Sequence, residues 1–254
     1  MSDEQWQVIT GDCLEVMPTL APGSVDAILT DLPYGTTACS WDSVIPFAPM
    51  WAAIKHVLRP RGVFVTTASQ PFTSALVMSN VKWFRYEWVW GKTNAVDFAT
   101  AKIRPRKLHE NIVVFSANGH TYNPQMEPGK PYIDKPRKRG NNIHGSAMPN
   151  LGIVNNGTRY PPSIIKMGNG NNNTVHPTQK PVALYEYLIR TYTNEGELVL
   201  DMCAGSGTTG VAAINTGRRV ICIEQREDYA DIARARIAKA AEQAQQLALP
   251  DMEQ

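Results

Sequence analysis

The sequence contains few cysteines and no long apolar run. Its four cysteines form no C-x-x-C pair, and its five histidines complete no metal-ligand spacing with them. We therefore expect reduced thiols in a cytoplasmic protein without structural zinc. Residues 1–5 lack the basic and apolar regions of a signal peptide, and no apolar segment approaches the length of a membrane span. The sequence therefore predicts neither export nor membrane attachment.

An excess of charge of either sign is also lacking. The 254 residues include 25 Lys and Arg against 23 Asp and Glu, which gives a formal net charge of only +2. A nucleic-acid-binding surface would therefore have to come from local clusters of basic residues. With 43% hydrophobic residues, the chain is long enough to bury one sizeable core, and we expect a single domain.

Short apolar runs alternate with segments of helical apolar spacing along most of the chain. This alternation predicts an α/β fold with a doubly wound, mostly parallel sheet. The predicted strands are 6–10, 25–31, 63–67, 86–90, 111–115, 198–201 and 219–224, and the predicted helices are 13–20, 47–58, 71–77, 182–192, 228–249 and one that ends at Gly217.

One predicted strand delivers an acidic residue and an aromatic residue to its carboxyl end. Asp31, Leu32, Pro33 and Tyr34 follow the apolar run Val25–Leu29. Ligands of open α/β sheets bind at the carboxyl ends of strands, so these residues are candidates for a site. An Asp and a Pro that merely end a strand would give the same local pattern.

A second candidate site lies late in the chain. Gly205, Gly207 and Gly210 fit G-x-G-x-x-G between a predicted strand and a predicted helix, and Glu224 ends the next strand. This arrangement predicts a ribose-bearing cofactor, with the acid on the ribose hydroxyls, in preference to a purely structural turn.

Too little chain follows Gly210 to build a sheet around this turn, so the missing strands must come from earlier residues. We therefore expect strand 198–201 to lie beside strand 25–31, and strand 219–224 to lie beside strand 6–10. That order would place Asp31 and the glycine-rich turn on one rim. Asp12, which could also be a simple helix cap, would then reach the cofactor pocket.

The stretch from Ser116 to Val175 differs from the rest of the chain in composition. Gly, Asn and Pro accumulate, apolar periodicity is lost, and basic residues dominate. We interpret it as a loop-rich functional insertion with a phosphate-contacting surface, although a solvated charged face would look the same. The basic residues concerned are Lys130, Lys135, Arg137, Lys138, Arg139, Arg159 and Lys166, joined by Lys102, Arg104, Arg106 and Lys107.

Together these motifs resemble the S-adenosylmethionine-dependent DNA amino-methyltransferases in their circularly permuted β-group order. Residues 31–34 resemble the family's Asp-Pro-Pro-Tyr signature, residues 201–207 its Asp-Pro-Phe-x-Gly-x-Gly loop, residues 176–181 the segment before that loop, and residues 11–13 its adenine-contacting turn. Leu32 replaces the first Pro, whose backbone carbonyl is the group that the family uses. Cys203 replaces a Phe that lines the cofactor pocket.

The resemblance implies one methyltransferase domain in two halves, 1–115 and 176–254, with a target-recognition insertion at 116–175. It implies transfer of a methyl group from S-adenosylmethionine to N6 of an adenine flipped out of double-stranded DNA, with Asp31, Leu32, Pro33 and Tyr34 as catalytic residues. The implied cofactor residues are Asp12, Cys13, Thr178, Lys180, Asp201, Cys203, Ala204, Gly205, Gly207 and Glu224.

Several alternatives stay open at this point. Methylation of cytosine N4 needs the same fold, although the family's cytosine enzymes often carry Ser where this chain has Asp31. A nicotinamide-dependent oxidoreductase would explain G-x-G-x-x-G but not residues 31–34, and a DNA-binding protein with a vestigial site would not need them intact. A homodimer and a cognate restriction enzyme are left open as well. His109-Glu110-Asn111 is read as structural or as support for the target pocket.

Overall fold

The computed structural model describes residues 5–36, 42–135, 152–169 and 179–248. The strands are β1 (Trp6–Thr10), β2 (Val25–Asp31), β3 (Leu58–Ala68), β4 (Phe84–Val96), β5 (Lys107–Phe115), β6 (Glu127–Pro128), β7 (Tyr132–Asp134), β8 (Ile153–Asn155), β9 (Thr158–Arg159), β10 (Ile164–Lys166), β11 (Leu198–Asp201) and β12 (Arg219–Glu224). The helices are α1 (Cys13–Val16), α2 (Phe47–Val57), α3 (Phe72–Ser79), α4 (Val182–Tyr192), α5 (Thr208–Asn215) and α6 (Glu227–Ala248), with short 3-10 helices at Met17–Thr19 and Phe98–Thr100.

The main sheet has the order β1-β12-β11-β2-β3-β5-β4-β10. Only β5 runs antiparallel to its neighbours, so the predicted mostly parallel sheet is confirmed. Both predicted long-range neighbours are also confirmed. Strand β11 pairs with β2 through Val199 and Ala27, and β1 pairs with β12 through Thr10 and Glu224. The early and late parts of the chain therefore share the centre of one sheet.

Helices cover both faces of this sheet, as a doubly wound fold requires. Successive residues of β2 point to opposite faces, because side chains alternate along a strand. Ala27 and Leu29 pack in a cluster with residues of α4, α5 and α6, whereas Ile28 packs in a second cluster with residues of α2 and α3. The near-continuous apolar run of β2 follows from this burial on both faces.

Two elements begin earlier than their sequence patterns predict. Strand β3 starts at Leu58, directly after α2, although the segment 59–62 reads as a turn. Its first residue pairs with Val25, and a shift in register before Ala27 absorbs the irregular segment. Strand β5 starts at Lys107 because it pairs with the long strand β4, a tertiary contact that local apolar periodicity does not reveal.

The chain divides into two compact units, one of Met1–Asn123 with Ser163–Gln254 and one of Pro124–Pro162. The second unit is shorter at both ends than the predicted insertion 116–175. Strand β10 falls within that predicted stretch, yet it pairs with β4 at the edge of the main sheet and buries Ile165. A three-residue strand is too short to give a periodic signal, which explains why the sequence did not indicate it.

The described residues of the second unit form two short antiparallel ribbons, β6 with β9 and β7 with β8. Arg159 holds it together: its guanidinium donates to Asn155 Oδ1 at 2.6 Å and to the Lys130 carbonyl, and lies over the Tyr132 ring at 4.7 Å. Arg159 therefore has a structural role besides its predicted phosphate contact. The basic residues Arg137, Lys138 and Arg139 lie outside the described residues.

Across the described ranges, no helix is both long enough and apolar enough to cross a bilayer. The same residues contain no cluster of three or more His, Cys, Asp or Glu side chains that could hold a metal ion.

The contact between α5 and α6 generates the first testable prediction. A Cβ added at Gly210 would lie 2.2 Å from Ile237 Cδ1 and 3.1 Å from Cys222 Sγ. Overpacking of this kind costs about 1–3 kcal/mol, so Gly210→Ala should lower the free energy of unfolding by that amount in a urea titration. Combining it with Ile237→Val, which removes the clashing methyl, should cost less than the sum of the two single changes. A fully additive double variant would contradict this account.

Candidate active site

Asp31, at the carboxyl end of β2, is the centre of a dense polar cluster. The Tyr34 hydroxyl donates to Asp31 Oδ1 at 2.8 Å, and the Thr67 hydroxyl donates to the same oxygen from the end of β3. Lys180 Nζ donates to Asp31 Oδ2 at 2.7 Å. Three segments of the chain therefore fix one carboxylate, and an ordinary strand-ending Asp would not need such support.

Lys180 lies between two carboxylates. Its Nζ is 2.7 Å from Asp31 Oδ2 and 3.4 Å from Glu110 Oε2, and its side chain is only 11% exposed. Burial would lower the pKa of Lys180, but the charges of Asp31 and Glu110 outweigh burial and raise it. The ammonium also lies 5.5 Å from the centre of the Tyr34 ring. Lys180 is therefore not a surface lysine, and its contact with Asp31 is additional to the cofactor role that the resemblance implies.

Glu110 is the second carboxylate of the cluster. Burial would raise its pKa, but Lys180, Lys92 and Lys107 together bring that pKa below the ordinary value. Lys92 Nζ donates to Glu110 Oε1 at 2.5 Å, whereas Oε2 is buried and lacks a well-aligned hydrogen bond. Sequence reasoning singled out the segment 109–111 without assigning it chemistry. Only the pairing of β5 with β3 and β4 shows that Glu110 stands behind Lys180.

Tyr34 is fixed at both ends of its side chain. Its ring stacks on Phe72, with centroids 5.3 Å apart, and its hydroxyl bonds to Asp31. Burial raises the pKa of Tyr34 well above its ordinary value, and the nearby Asp31 charge adds to this. The tyrosine is therefore neutral and a hydrogen-bond donor. Its predicted contact with a flipped base stays a prediction, as do the roles of Pro33 and the Leu32 carbonyl.

The Asp42 carboxylate holds the two residues that follow Tyr34. The two Asp42 oxygens accept hydrogen bonds from the backbone nitrogens of Gly35 at 2.9 Å and Thr36 at 2.8 Å. Asp42 is itself buried. It gives the turn after residues 31–34 a defined conformation. Residues 37–41, with Cys39, lie outside the described residues.

Asp201, at the end of β11, ties the glycine-rich loop to β2. Its Oδ1 accepts from the Thr30 hydroxyl at 2.7 Å and from the Cys203 backbone nitrogen at 3.1 Å, and its Oδ2 accepts from the Thr209 hydroxyl at 2.5 Å. The residue is 3% exposed, and burial raises the pKa of Asp201 to about 6. Thr30 directly precedes Asp31, so this contact sets the spacing between the two halves of the site.

The other predicted cofactor acids stand at neighbouring strand ends. Glu224 Oε2 accepts from the Gly205 backbone nitrogen at 2.7 Å, and Asp12 Oδ1 accepts from the Leu14 backbone nitrogen at 2.8 Å as the cap of α1. The Gly11 backbone nitrogen bonds to the Glu224 carbonyl at 2.9 Å. Asp12 is therefore the helix cap that the sequence allowed, and it also lies at the same rim as Glu224.

The glycine-rich loop has the shape that a nucleotide cofactor needs. A Cβ added at Gly205 would meet nothing within 4 Å, whereas one at Gly207 would lie 2.9 Å from Ala233 Cβ. Gly207 therefore serves the packing of α6, while Gly205 leaves an open side on which a ligand approaches the backbone closely. Both residues have positive φ, at +51° and +79°, which favours glycine. Open backbone beside acids that suit ribose hydroxyls fits S-adenosylmethionine.

Four predicted cofactor residues remain: Cys13, Thr178, Cys203 and Ala204. The Ala204 backbone nitrogen bonds to the Ile223 carbonyl at 2.9 Å, which fixes the loop on β12. A hydrogen bond from Cys203 to Cys13 raises the pKa of Cys203 well above its ordinary value and lowers that of Cys13. The two thiols therefore adjoin at the base of the loop. Thr178 lies outside the described residues.

The glycine-rich loop, the Glu224 carboxylate and the Asp31–Tyr34 turn lie on one rim of a mostly parallel sheet. This arrangement defines a Rossmann-like methyltransferase. The chain belongs to the DNA methylase family that includes adenine-N6 and cytosine-N4 enzymes, since the family model matches residues 25–235. S-adenosylmethionine is the methyl donor of this family. Type II methyltransferase M.HpaI of Haemophilus parainfluenzae is 26% identical over 248 residues, covering 91% of this chain and 74% of that protein.

Solved structures share the fold. The M1.HpyAVI complex with S-adenosylmethionine superposes with a TM-score of 0.61 at 24% identity, covering 91% of this chain and 99% of the other. PvuII DNA methyltransferase, which is cytosine-N4-specific, superposes with a TM-score of 0.66 at 16% identity, covering 94% of each chain. The expected Rossmann-like methyltransferase fold is thus confirmed.

The buried charge cluster predicts a large effect at Glu110. Glu110→Gln leaves Lys92 without its carboxylate partner and Lys180 with Asp31 alone, which should lower the free energy of unfolding by about 3 kcal/mol in a urea titration at neutral pH. The lowered pKa of Glu110 means that its stabilisation is present above the ordinary carboxyl pKa and is lost as the pH falls through the folded value. The difference between wild type and variant should therefore shrink in acid.

A matched control for this change lies on β4. Glu87 is exposed and accepts one hydrogen bond from Asn111 at 3.1 Å, so Glu87→Gln should change the free energy of unfolding by no more than about 0.5 kcal/mol. Equal effects of the two substitutions would refute a special role for Glu110.

Asp201 should give the opposite pH dependence. Its raised pKa means that protonation favours the folded state, so its contribution is fully present below the ordinary carboxyl pKa and is lost as the pH rises through about 6. Relative to Asp201→Asn, wild type should lose about 3 kcal/mol of unfolding free energy between about pH 4 and pH 7. Urea titrations of both proteins across this range measure the difference. If wild type keeps or increases its unfolding free energy relative to the variant as the pH rises, the pKa of Asp201 is not raised.

Proposed function

We propose that this protein methylates N6 of adenine in double-stranded DNA at a specific site. The observation that carries the proposal is the Asp31 carboxylate, held by Tyr34, Thr67 and Lys180 on the rim that also bears the glycine-rich loop. By the family resemblance, an Asp at this position is typical of adenine enzymes, whereas cytosine enzymes often carry Ser.

The exocyclic amine of adenine is a weak nucleophile because its lone pair is delocalised into the ring. In the proposed mechanism, an Asp31 oxygen and the Leu32 carbonyl each accept a hydrogen bond from one N–H group of the amine. These two hydrogen bonds favour a pyramidal nitrogen and direct its lone pair toward the methyl group. S-adenosylmethionine supplies that methyl group as an electrophile. The methyl group would pass from sulfur to the amine nitrogen and leave S-adenosylhomocysteine, and the Asp31 charge would stabilise the positive charge on nitrogen until one proton leaves to solvent.

The cluster around Asp31 prepares the carboxylate for this role. Lys180 holds Oδ2, and two hydroxyls hold Oδ1, so the carboxylate does not have to be oriented when the amine arrives. In this proposal the amine displaces the Tyr34 hydroxyl from Oδ1, while the Tyr34 ring stays stacked on Phe72 and offers a surface to the extruded base.

The cofactor would lie along the ends of β11, β12 and β1. We assign Glu224 to the ribose hydroxyls, Asp12 to the adenine amine and the open side of Gly205 to close backbone approach. Lys180 and Thr178 would lie toward the methionine carboxylate, and Asp201 toward the amino group. Because Asp201 already accepts three hydrogen bonds, its main contribution would be to hold the loop.

The target base cannot react inside a duplex, so it must be extruded. Basic residues of the middle region would contact DNA phosphates, which position the enzyme without reading sequence. Lys107 is not among them in this proposal, because its ammonium donates to Ser69 and burial lowers its pKa.

Cytosine-N4 methylation is the second candidate. The similarity in fold to the cytosine-N4-specific PvuII enzyme favours it, whereas Asp31 favours adenine. Incubating the protein with labelled S-adenosylmethionine and unmethylated genomic DNA, followed by digestion to nucleosides, separates the two. Label in N6-methyladenine supports the proposal, and label in N4-methylcytosine, or none at all, overturns it.

Substitutions at residues 31–34 test the role proposed for each residue. Asp31→Ala should abolish methyl transfer but leave S-adenosylmethionine binding within a few fold of wild type, because Asp31 serves the target amine. Leu32→Pro should retain transfer, because either residue supplies the same backbone carbonyl. Asp231→Ala, which removes an exposed carboxylate on α6, is the matched control and should retain both activities. Parallel loss of binding and transfer in Asp31→Ala would show that its role is misassigned.

A further inference from the structure

The loop that joins β4 to β5, residues 97–106, exposes two large apolar side chains. Phe98 is 80% exposed and Ile103 is 84% exposed, which places them among the most exposed apolar side chains of the described chain. Single exposed apolar residues are common on protein surfaces. Two such residues on one ten-residue loop beside the candidate site are less common, and packing against the main sheet does not explain them.

The loop holds these side chains in a defined conformation. Arg104 pairs with Asp97 at 3.3 Å and donates to the Thr100 hydroxyl at 2.9 Å, closing the loop on its own 3-10 turn. Arg106 donates to the Ala95 carbonyl and lies 5.6 Å from the centre of the Phe98 ring. These contacts join residues of the loop to one another and to the end of β4. The loop is therefore ordered before a partner binds, which reduces the entropic cost of binding that partner.

The loop emerges at the rim that carries Asp31. Strand β5 runs antiparallel to both β3 and β4, so the turn between β4 and β5 lies at the edge where β3 ends. The first residue of β5, Lys107, donates to the Ser69 hydroxyl, two residues beyond the Thr67 that bonds to Asp31. The base of the loop is therefore fixed next to the residues that hold the catalytic carboxylate.

The charge of the loop matches a polyanion. Lys102, Arg104 and Arg106 are exposed around the two apolar side chains, and Asp97 is the one acidic residue of the segment. DNA-bending and base-extruding proteins commonly insert an apolar side chain between base steps while basic residues contact the phosphates. Extruding a base costs unpairing and unstacking energy, and a group that fills the resulting gap recovers part of it.

We propose that residues 97–106 form a wedge that enters the DNA duplex beside the target base, with Phe98 and Ile103 occupying the space that the base leaves. The proposal rests on the proposed function, since it requires a base extruded from duplex DNA. It assigns the separation of the base from its partner to this loop, and the chemistry on the extruded base to Asp31, Leu32 and Tyr34.

The test compares a paired and a mispaired target. The methylated base and its surrounding sequence are first mapped in genomic DNA treated with wild-type protein, and duplex oligonucleotides of that sequence are then made with the target base paired or mispaired. A Phe98→Ala/Ile103→Ala variant should lose about tenfold or more in kcat/KM on the paired duplex, because extrusion is no longer compensated. On the mispaired duplex, where extrusion is cheap, the loss should be within about twofold.

Two further measurements make the result specific. S-adenosylmethionine binding should be unchanged in the variant, which shows that the fold is intact. Met78→Ala is the matched control, because Met78 is 73% exposed near the end of α3 that points away from the Asp31 rim; this variant should behave as wild type on both duplexes. The fluorescence of 2-aminopurine at the target position should rise on binding wild-type protein and rise less with the loop variant.

The outcomes separate the wedge from the proposed function. Equal losses on paired and mispaired duplexes, or no loss on either, would overturn the wedge. If wild type methylates cytosine, the proposed base is wrong, but the same paired and mispaired comparison at cytosine still tests the loop. Absence of any transfer by wild type to DNA would overturn both proposals.

Discussion

The pairing of β11 with β2 is the contact on which the rest of the site depends. It joins segments about 170 residues apart in the chain, and the hydrogen bond from Thr30 to Asp201 locks their carboxyl ends at 2.7 Å. Because Asp31 follows Thr30 and the glycine-rich loop follows Asp201, the Asp31 turn and the glycine-rich loop are placed by one strand pair. Loss of this register would separate the two halves of the candidate site rather than weaken either alone.

The charges at the rim form a chain that runs from the reaction site into the sheet. Asp31 is paired with Lys180, Lys180 with Glu110, and Glu110 with Lys92, so that carboxylates and ammonium groups alternate. Buried charges are tolerated only when they are paired, and here each interior charge has partners on both sides. Such an arrangement favours a fixed carboxylate over maximal stability, which suits the proposed role of Asp31 in accepting a hydrogen bond from the target amine.

Asp201 and Glu110 illustrate how environment separates similar groups. Asp201 is fully enclosed and has a raised pKa, because hydroxyls and a backbone nitrogen only partly offset burial. Glu110 is also buried, but three lysines bring its pKa below the ordinary value. Asp201 therefore organises the glycine-rich loop, whereas Glu110 supplies negative charge beside Lys180.

The sequence by itself determined most strands of the main sheet and the helices that cover it. Apolar runs predicted the strands, the late glycine-rich turn required strands from earlier in the chain, and the motif residues predicted a methyltransferase of this family, all of which follow from local patterns. Only the tertiary structure decided that Lys180 bonds to Asp31, that Glu110 and Thr67 stand beside it, that β10 joins the sheet edge, and that the loop 97–106 opens on the same rim. These contacts join residues distant in the chain, and no local periodicity or spacing carries that information.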